Sequence, residues 1–416
     1  MKPPSVVAAL RADGDGPVCA YVYDLAGLRA HAAAAVAALP QGCELFYAVK
    51  ANSERPILRA LAGIVAGFEV GSAGELELVR AVAPRDPVVF GGPGKTDSAL
   101  VAAAADGGVA AVHVESVHEL RRAEYVAAGL GVTLPVALRV NLAGPLPVAT
   151  LAMAGRPTQF GIDEADVPAA LGLLRCYAHL EFAGFHFHCI SNHHDAPAHA
   201  RLVARYLQRA QRWAADAGVP LGVVNAGGGI GVDYADVDRP FAWVPFCADL
   251  ADRVRLDAVP SAAPVRLRFE CGRYLVAPFG AYVVEVLDVK TIHGACFAVV
   301  RGGTHHFRLP ASWGHSHPFT VIPVEEWRYP FPRPGVRGGP VTVAGELCSP
   351  KDVLARDVTV DELRAGDVLW FRHAGAYGWS ISHHDFLHHP HPRRLFLGAP
   401  AQPPDSQAPT VVLRHA

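Results

Sequence analysis

The sequence predicts an α/β protein: a closed β/α barrel over residues 28–280, and a β domain formed by residues 281–416 together with 1–27. Three observations carry this. Between about residues 28 and 280, amphipathic Ala/Leu/Arg-rich stretches such as AGELELVRAV, SVHELRRAEYVAAG and HARLVARYLQRAQRWAADAG alternate with short apolar runs. Repeated strand–helix alternation builds a parallel sheet, and seven or eight such units suggest closure into a barrel. After Tyr282 the texture changes to strands and turns, YVVEVLDVKTIHG, CFAVVRGG, PVTVAGELC and GDVLWFRHAG, which reads as antiparallel sheet. Finally, CAYVYD, before residue 28, reads as a strand that the second domain can share.

In chain order, the barrel runs begin with ELFYAVKAN (44–52) and continue through VVFGG (88–92), AAVHVES (110–116), VALRVN (136–141), FAGFHFHC (182–189), GVVNAGGG (222–229) and VRLRFECG (265–272). Functional groups of such a barrel gather at the C-terminal ends of its strands, which is where Lys50, His188, the Gly227 loop and Glu270 fall. The proline-rich ends, above all HPHPRRLFLGAPAQPPDSQAPT, read as loop or frayed tail.

Composition excludes several classes. Net charge is −2, and the 37 basic residues are spread along the chain without a basic tract or nucleic-acid motif, so nucleic acid is not an expected partner. The N-terminus carries only a six-residue apolar run and no run approaches a membrane span, so a cytoplasmic protein is the expectation. The eight cysteines lie far apart and read as reduced thiols. Histidine is abundant, at 21 residues, but neighbours such as His193-His194 and His305-His306 point to opposite faces of a strand, so no metal site is expected.

Lysine occurs only five times, at residues 2, 50, 95, 290 and 351. Lys50 ends an apolar run, where an ammonium is costly to desolvate; a desolvated lysine forms imines and arginine does not. A lysine extending from a strand end to solvent would leave the same trace. Two nucleotide-binding motifs fail on spacing: before GPGKT the first required glycine is Val89, and after GGG the third is Val232. The glycines Gly227, Gly228 and Gly229 follow an apolar strand and can bring backbone N–H groups close to a phosphate. Glu270 can hold a ring nitrogen protonated or pair with Arg273, and His188 can stack on a flat cofactor. An amine, a ring-stacking imidazole, a phosphate cradle and an acid at successive strand ends are together what pyridoxal 5′-phosphate needs.

FYAVKAN, FEVGSAGEL, FHFHCIS, NAGGGIG, FECGRYLVAP, GELCSPKDVLA and GAYG occur in one order over nearly the whole chain. In these motifs the sequence resembles the fold-type III, alanine-racemase-like amino acid decarboxylases, the family of diaminopimelate and ornithine decarboxylases. The resemblance implies an eight-stranded (β/α)8 TIM barrel, a C-terminal antiparallel β domain, and a homodimer with shared active sites. It implies Lys50 as Schiff-base lysine, His188 as stacking residue, Ser191 with Gly227 to Gly229 and Tyr377 around the phosphate, and Glu270 on the pyridine nitrogen. Arg273 would lie beside phosphate or substrate, and Cys348 of the other subunit would protonate the product carbon. Asp352 would be a substrate residue, although SPKD spaces it differently from the family's usual acid.

The departures concern substrate. Glu69 stands where the family commonly has aspartate, FHFHCISN replaces the usual arrangement around Ser191, and WSISHHDFLHHPHPRRLFL follows GAYG. RGGTHHFRLPASWGHSHPF occupies the region where diaminopimelate enzymes bind the distal carboxylate, so Arg308 takes that role, with His305, His306, His315 and His317 adding donors. These features resemble the branch associated with carboxylate siderophore biosynthesis, which decarboxylates a citryl-linked diamino acid such as citryl-2,3-diaminopropionate. A diaminopimelate, ornithine or lysine decarboxylase, and a catalytically silent pyridoxal-phosphate-binding homologue, are the alternatives.

Overall fold

The computed structural model describes residues 2–14, 16–254, 256 and 264–398, with the backbone alone of 410–411. The chain divides into two units: Arg29–Val232 with Pro240–Leu275, and Met1–Leu28 with Asp233–Arg239 and Val276–Ala416. The short excursion 233–239 is invisible in the sequence pattern.

The first unit is a closed barrel of eight parallel strands, Cys43–Ala48, Gly67–Val70, Val88–Phe90, Val109–Val114, Leu134–Asn141, Leu180–His186, Val223–Asn225 and Arg266–Cys271. Each pairs with the next, and the last returns to the first through Glu270 opposite Phe46 and Cys271 opposite Tyr47. Phe46, Val89, Ala111 and Ala137 cluster in its core. Small partners leave room for the Phe46 ring, and at Gly67 a methyl would collide with it.

Hydroxyls and carboxylates start the helices that follow strands. Ser72, Thr96, Ser116 and Asp195 accept hydrogen bonds from the N–H groups of Glu75, Ala99, Glu119 and Ala198, which settles donors that a helix start leaves unpaired. Gly131 and Gly218 close two helices in the left-handed conformation, φ 66° and 64°. The long helix Ala196–Ala217 buries Leu202, Val203, Tyr206, Ala210 and Trp213 on one face. Tyr206 stacks on Phe187 at 4.6 Å, tying this helix to the segment that carries His188.

The second unit is a sheet built around the strand Gly280–Ile292, which pairs antiparallel with Cys19–Asp24, Ala295–Val300 and Val368–Phe371. The sheet is mixed rather than wholly antiparallel: Arg393–Leu397 runs parallel to Cys19–Asp24, and Gly335–Ala344 parallel to Ala295–Val300. Helix Pro3–Ala12 covers one face, packing Val6, Val7 and Leu10 against Val22, Val283, Trp370 and Leu395. Two segments expected to fray are therefore ordered, because each brings apolar side chains to that face. The proline-rich letters around RRLFL hide a strand whose Phe396 stacks on Tyr23 at 5.2 Å. The rest of the expected tail, residues 399–409, lies outside the described residues. Among the described residues no helix is long and apolar enough to cross a membrane.

The lysine of GPGKT is structural. Lys95 is buried, and its ammonium donates to the carbonyls of Gly92 (2.6 Å) and His113 (2.7 Å) and to Glu119 Oε1 (2.7 Å). Glu119 Oε2 accepts from the N–H of Glu115 (2.7 Å), so one ion pair knits two strand-to-helix turns. Lys95→Met would leave the Glu119 carboxylate buried and unpaired and should cost about 3–5 kcal/mol. Urea unfolding checks this; a loss under about 1 kcal/mol would refute the assignment.

Candidate active site

Lys50 lies in the single turn Val49–Ala51 that follows Cys43–Ala48, and its Nζ donates to Glu69 Oε2 at 2.6 Å. The lysine side chain is 46% exposed and that of Glu69 5%, so the amine faces outward on a buried anchor. Burial raises the Glu69 pKa and the Lys50 charge opposes that rise.

Glu270, on the last barrel strand, is buried. Asn225 Nδ2 donates to its Oε1 at 2.7 Å, and His186 Nε2 lies 3.2 Å from its Oε2. His113 stacks on His186 with ring centroids 4.0 Å apart. His113, His186 and Glu270 are the group among the described residues whose ligand atoms come close enough together for a metal ion, within 4.8 Å.

His188 follows the strand Leu180–His186, and its Nδ1 accepts from the N–H of Gly228 at 3.1 Å. Burial, then the charge of Lys50, pushes its pKa well below 6.5, so the ring is neutral. The glycine turn owes its shape to crowding. Gly227 and Gly229 have φ of 66° and 94°, and a Cβ at 227, 228 or 229 would run into the carbonyl oxygens of Phe187, Glu270 and Ile190 respectively. The turn is not wholly open to an anion, since the Gly227 N–H donates to Asn225 Oδ1 (2.9 Å) and the Gly228 N–H to His188. Ser191 sits on the two-residue strand Ile190–Ser191, half-buried, and Arg273 opens the short helix Arg273–Val276.

The remaining expected residues belong to the second unit. Cys348 is exposed on the loop between Gly335–Ala344 and Val353–Arg364. Tyr377 is half-buried with φ 52°. Arg308 precedes the helix Leu309–Trp313 and lines a cavity of about 700 Å³ together with His315, Lys351, Arg356 and His383.

Three expected substrate residues are corrected. Asp352 is a clamp: its carboxylate accepts the N–H groups of Thr304 (2.6 Å) and Leu347 (2.9 Å), which spends it on holding the Cys348 loop. His305 and His306 are fully buried, at 0% exposure. His306 Nδ1 lies among Cys19 Sγ (3.6 Å) and Tyr282 Oη (3.4 Å), and His305 Nε2 lies 3.6 Å from Glu346. They fill the β unit because the Gly302-Gly303 turn folds them inward, with φ of 89° and 152°.

Comparison with known proteins decides the family. The family model described as pyridoxal-dependent decarboxylase, pyridoxal binding domain, matches residues 25–277. The chain belongs to the pyridoxal-dependent decarboxylases. It is similar to the 2-[(L-alanin-3-ylcarbamoyl)methyl]-2-hydroxybutanedioate decarboxylase of Staphylococcus aureus, 47% identical over 94% of this chain and 97% of that protein. It is also similar to the L-glutamyl-[BtrI acyl-carrier protein] decarboxylase of Niallia circulans, 31% identical over 89% of this chain and 87% of that protein. Among solved structures, a mutant diaminopimelate decarboxylase of Helicobacter pylori complexed with L-lysine shares the fold, with TM-score 0.82, 24% identity, and 94% and 93% of the two chains covered.

The cofactor of this decarboxylase is pyridoxal phosphate, and the barrel end fits it chemically. It offers an exposed amine on a buried anchor, a neutral imidazole and a buried carboxylate with oriented donors. Sequence reading passed over His186 and Asn225, although His186 lies only two residues before His188 in the run FAGFHFHC. His113 and Arg356 carried no motif, and Lys351 lay within GELCSPKDVLA without being given a role.

Buried histidines in this decarboxylase make its stability depend on acid pH. Burial holds His199 at about 3 and His306 at about 2, against about 6.5 in an unfolded chain. Depressed in the fold, they take up protons on unfolding, so the stability they contribute is complete above pH ~6.5 and is lost as pH falls toward the folded values. Urea-derived unfolding free energies should decline from pH ~6.5 to ~4, and His306→Phe should flatten the slope by up to about 1.4 kcal/mol per pH unit. An unchanged slope would sink the assignment.

Proposed function

We propose that this decarboxylase acts on a citryl-linked diamino acid, citryl-2,3-diaminopropionate, in carboxylate siderophore biosynthesis. The observation that carries the proposal is the cavity of about 700 Å³ in the β unit, where Arg308, Lys351 and Arg356 gather with His315 and His383. Asp352 also borders it, but backbone N–H groups cap its carboxylate. The cavity is thus cationic and suits a ligand with several carboxylates. The name of the Staphylococcus aureus relative's substrate describes such a molecule, a hydroxybutanedioate carrying an amino acid arm.

Pyridoxal phosphate, when bound, supplies a carbonyl that condenses with amines and a ring that takes up the electron pair left as carbon dioxide departs. Lys50 provides the amine that holds it, and Glu69 fixes that amine between turnovers. His188 would present a neutral ring face, and the Gly229 turn with Ser191 and Arg273 would receive the phosphate. Glu270 would face the ring nitrogen and hold a proton there. Cys348 Sγ gives a proton to the product carbon. We further propose that the enzyme works in the cytoplasm, where the exposed Cys348 thiol stays reduced, as a homodimer in which Cys348 of one copy serves the barrel of the other.

Carbon dioxide release from the citryl compound, meso-diaminopimelate, ornithine and lysine tests the substrate, with Lys50→Ala as the blank. Release should be fastest from the citryl compound, and Arg308→Ala should raise its KM at least about tenfold while kcat changes less. Preference for diaminopimelate or a free diamine would reject the citryl reading and leave the decarboxylase standing.

Mixing tests the shared site. Lys50→Ala and Cys348→Ala homodimers should each be nearly inactive. Unfolded and refolded together in equal amounts, they should regain about a quarter of the parent rate, since half the dimers then hold one intact site. No recovery in folded mixed dimers would place Cys348 in its own copy's site.

A further inference from the structure

The stacked histidines behind Glu270 have no place in the mechanism above. We infer that His186, Asn225 and His113 form a rack that keeps the Glu270 carboxylate an oriented acceptor for the cofactor's ring nitrogen, with His186 its principal positioning residue. This rests on the reading of Glu270 as partner of that nitrogen.

The hydrogen-bond chain has one consistent assignment. Asn225 Oδ1 accepts from the N–H of Gly227 (2.9 Å), so its Nδ2 faces Glu270 Oε1 (2.7 Å) and His113 Nε2 (3.3 Å). His113 Nε2 is therefore an acceptor, and its proton sits on Nδ1, 3.8 Å from Glu270 Oε1. His186 Nε2 faces Glu270 Oε2 at 3.2 Å, and an ionised carboxylate only accepts, so this nitrogen carries the proton. Burial pushes both imidazoles well below 6.5 and keeps them neutral. Glu270 thus meets neutral donors that leave its charge available to one further partner.

Two other uses of the cluster fit less well. A metal would need lone pairs converging on one point, but the imidazoles lie nearly parallel, 12° apart and stacked at 4.0 Å, so in-plane lone pairs do not converge. An inert core pair would satisfy its own polar atoms. Instead Nδ1 of His113 and Nδ1 of His186 are both buried without a hydrogen-bond partner among the described residues, a cost that an orienting role for the opposite nitrogens offsets. Residue spacing supports the arrangement: His186 and His188 share one face, so one segment brings both the rack and the neutral ring to the same barrel end.

The test compares pyridoxal phosphate with an analogue bearing carbon in place of the ring nitrogen. The apoprotein's preference for the natural cofactor, from equilibrium titration, reports the Glu270 interaction without turnover. Glu270→Gln should reduce that preference about tenfold, and His186→Phe should reduce it comparably and lower kcat with KM little changed. His186→Gln, which still offers an N–H, should recover most of it. If Glu270→Gln leaves the preference intact, the Glu270 reading itself fails. If Glu270→Gln lowers it while folded His186→Phe keeps it within about twofold, the rack fails alone. Should His186→Phe not fold, His113→Phe, which keeps a ring but removes the Nε2 acceptor and the Nδ1 N–H, should shift the preference the same way. An unchanged preference in that variant overturns the inference.

Discussion

The pairing of Arg266–Cys271 with Cys43–Ala48 is the contact on which the barrel chemistry depends. It closes the barrel and sets Glu270 opposite Phe46, with Lys50 two residues beyond the end of the partner strand. A slip of one residue would turn Glu270, with Arg268 on the same face, away from the interior and carry Phe269 and Cys271 into it. Charge pins the register nearer the N-terminal ends of the same two strands, on the same face. Arg268 donates through Nε (3.1 Å) and Nη2 (3.0 Å) to Glu44 Oε2, and Arg266 reaches Glu44 Oε1 at 2.8 Å. Arg268 also lies over the Phe46 ring at 4.1 Å, so the same side chain packs and pairs. Burial lowers the Arg268 pKa and Glu44 opposes that fall; a lysine would lack the planar fork and the stacked face.

From that register the rest of the barrel end follows by hydrogen bonds rather than apolar packing. Asn225 links Glu270 to the glycine turn, and the turn's Gly228 holds the His188 ring. One displaced carboxylate would therefore move the turn and the imidazole together, a coupling that separate loops would lack. The β unit repeats the device. Asp352 and Glu346 take the N–H groups of Thr304, Leu347 and Gly302, so two carboxylates fix the loop that exposes Cys348. In this loop the acids organise backbone, and the exposed thiol is borne on what they organise.

Sequence reading reached the parts that obey a period or a motif. The barrel was legible because seven of its eight strands fall in apolar runs that alternate with amphipathic helices, and Lys50, His188 and Glu270 drew attention because each ends such a run. It failed where three-dimensional accounting decides. His305 and His306 look like ligands in a polar stretch, but two glycines fold them into the core. Asp352 looks like an acid at a binding site, and its letters do not show that backbone donors consume it. His113 and His186 lie 73 residues apart and meet only once the barrel closes. The strand Arg393–Leu397 was masked by flanking prolines, since its pairing with Cys19–Asp24 spans almost the whole chain.

Substrate selection in such a protein is a matter of which charges remain uncommitted. Glu69 and Glu270 are buried, Asp352 is capped, and Glu346 is paired with Arg301. Each acid that a polycarboxylate would repel is thus neutralised by a partner or held within the protein. Arg308, Lys351 and Arg356, by contrast, line an open cavity. A free diamine would meet cations there and be repelled. A ligand with one distal carboxylate would engage only part of the cavity, while one with two would draw on more than one cation and lose less to desolvation per charge. On that proposal, discrimination between these substrates would come as much from repulsion of amines as from attraction of carboxylates, and the lysine and arginines of the β unit would bear on specificity.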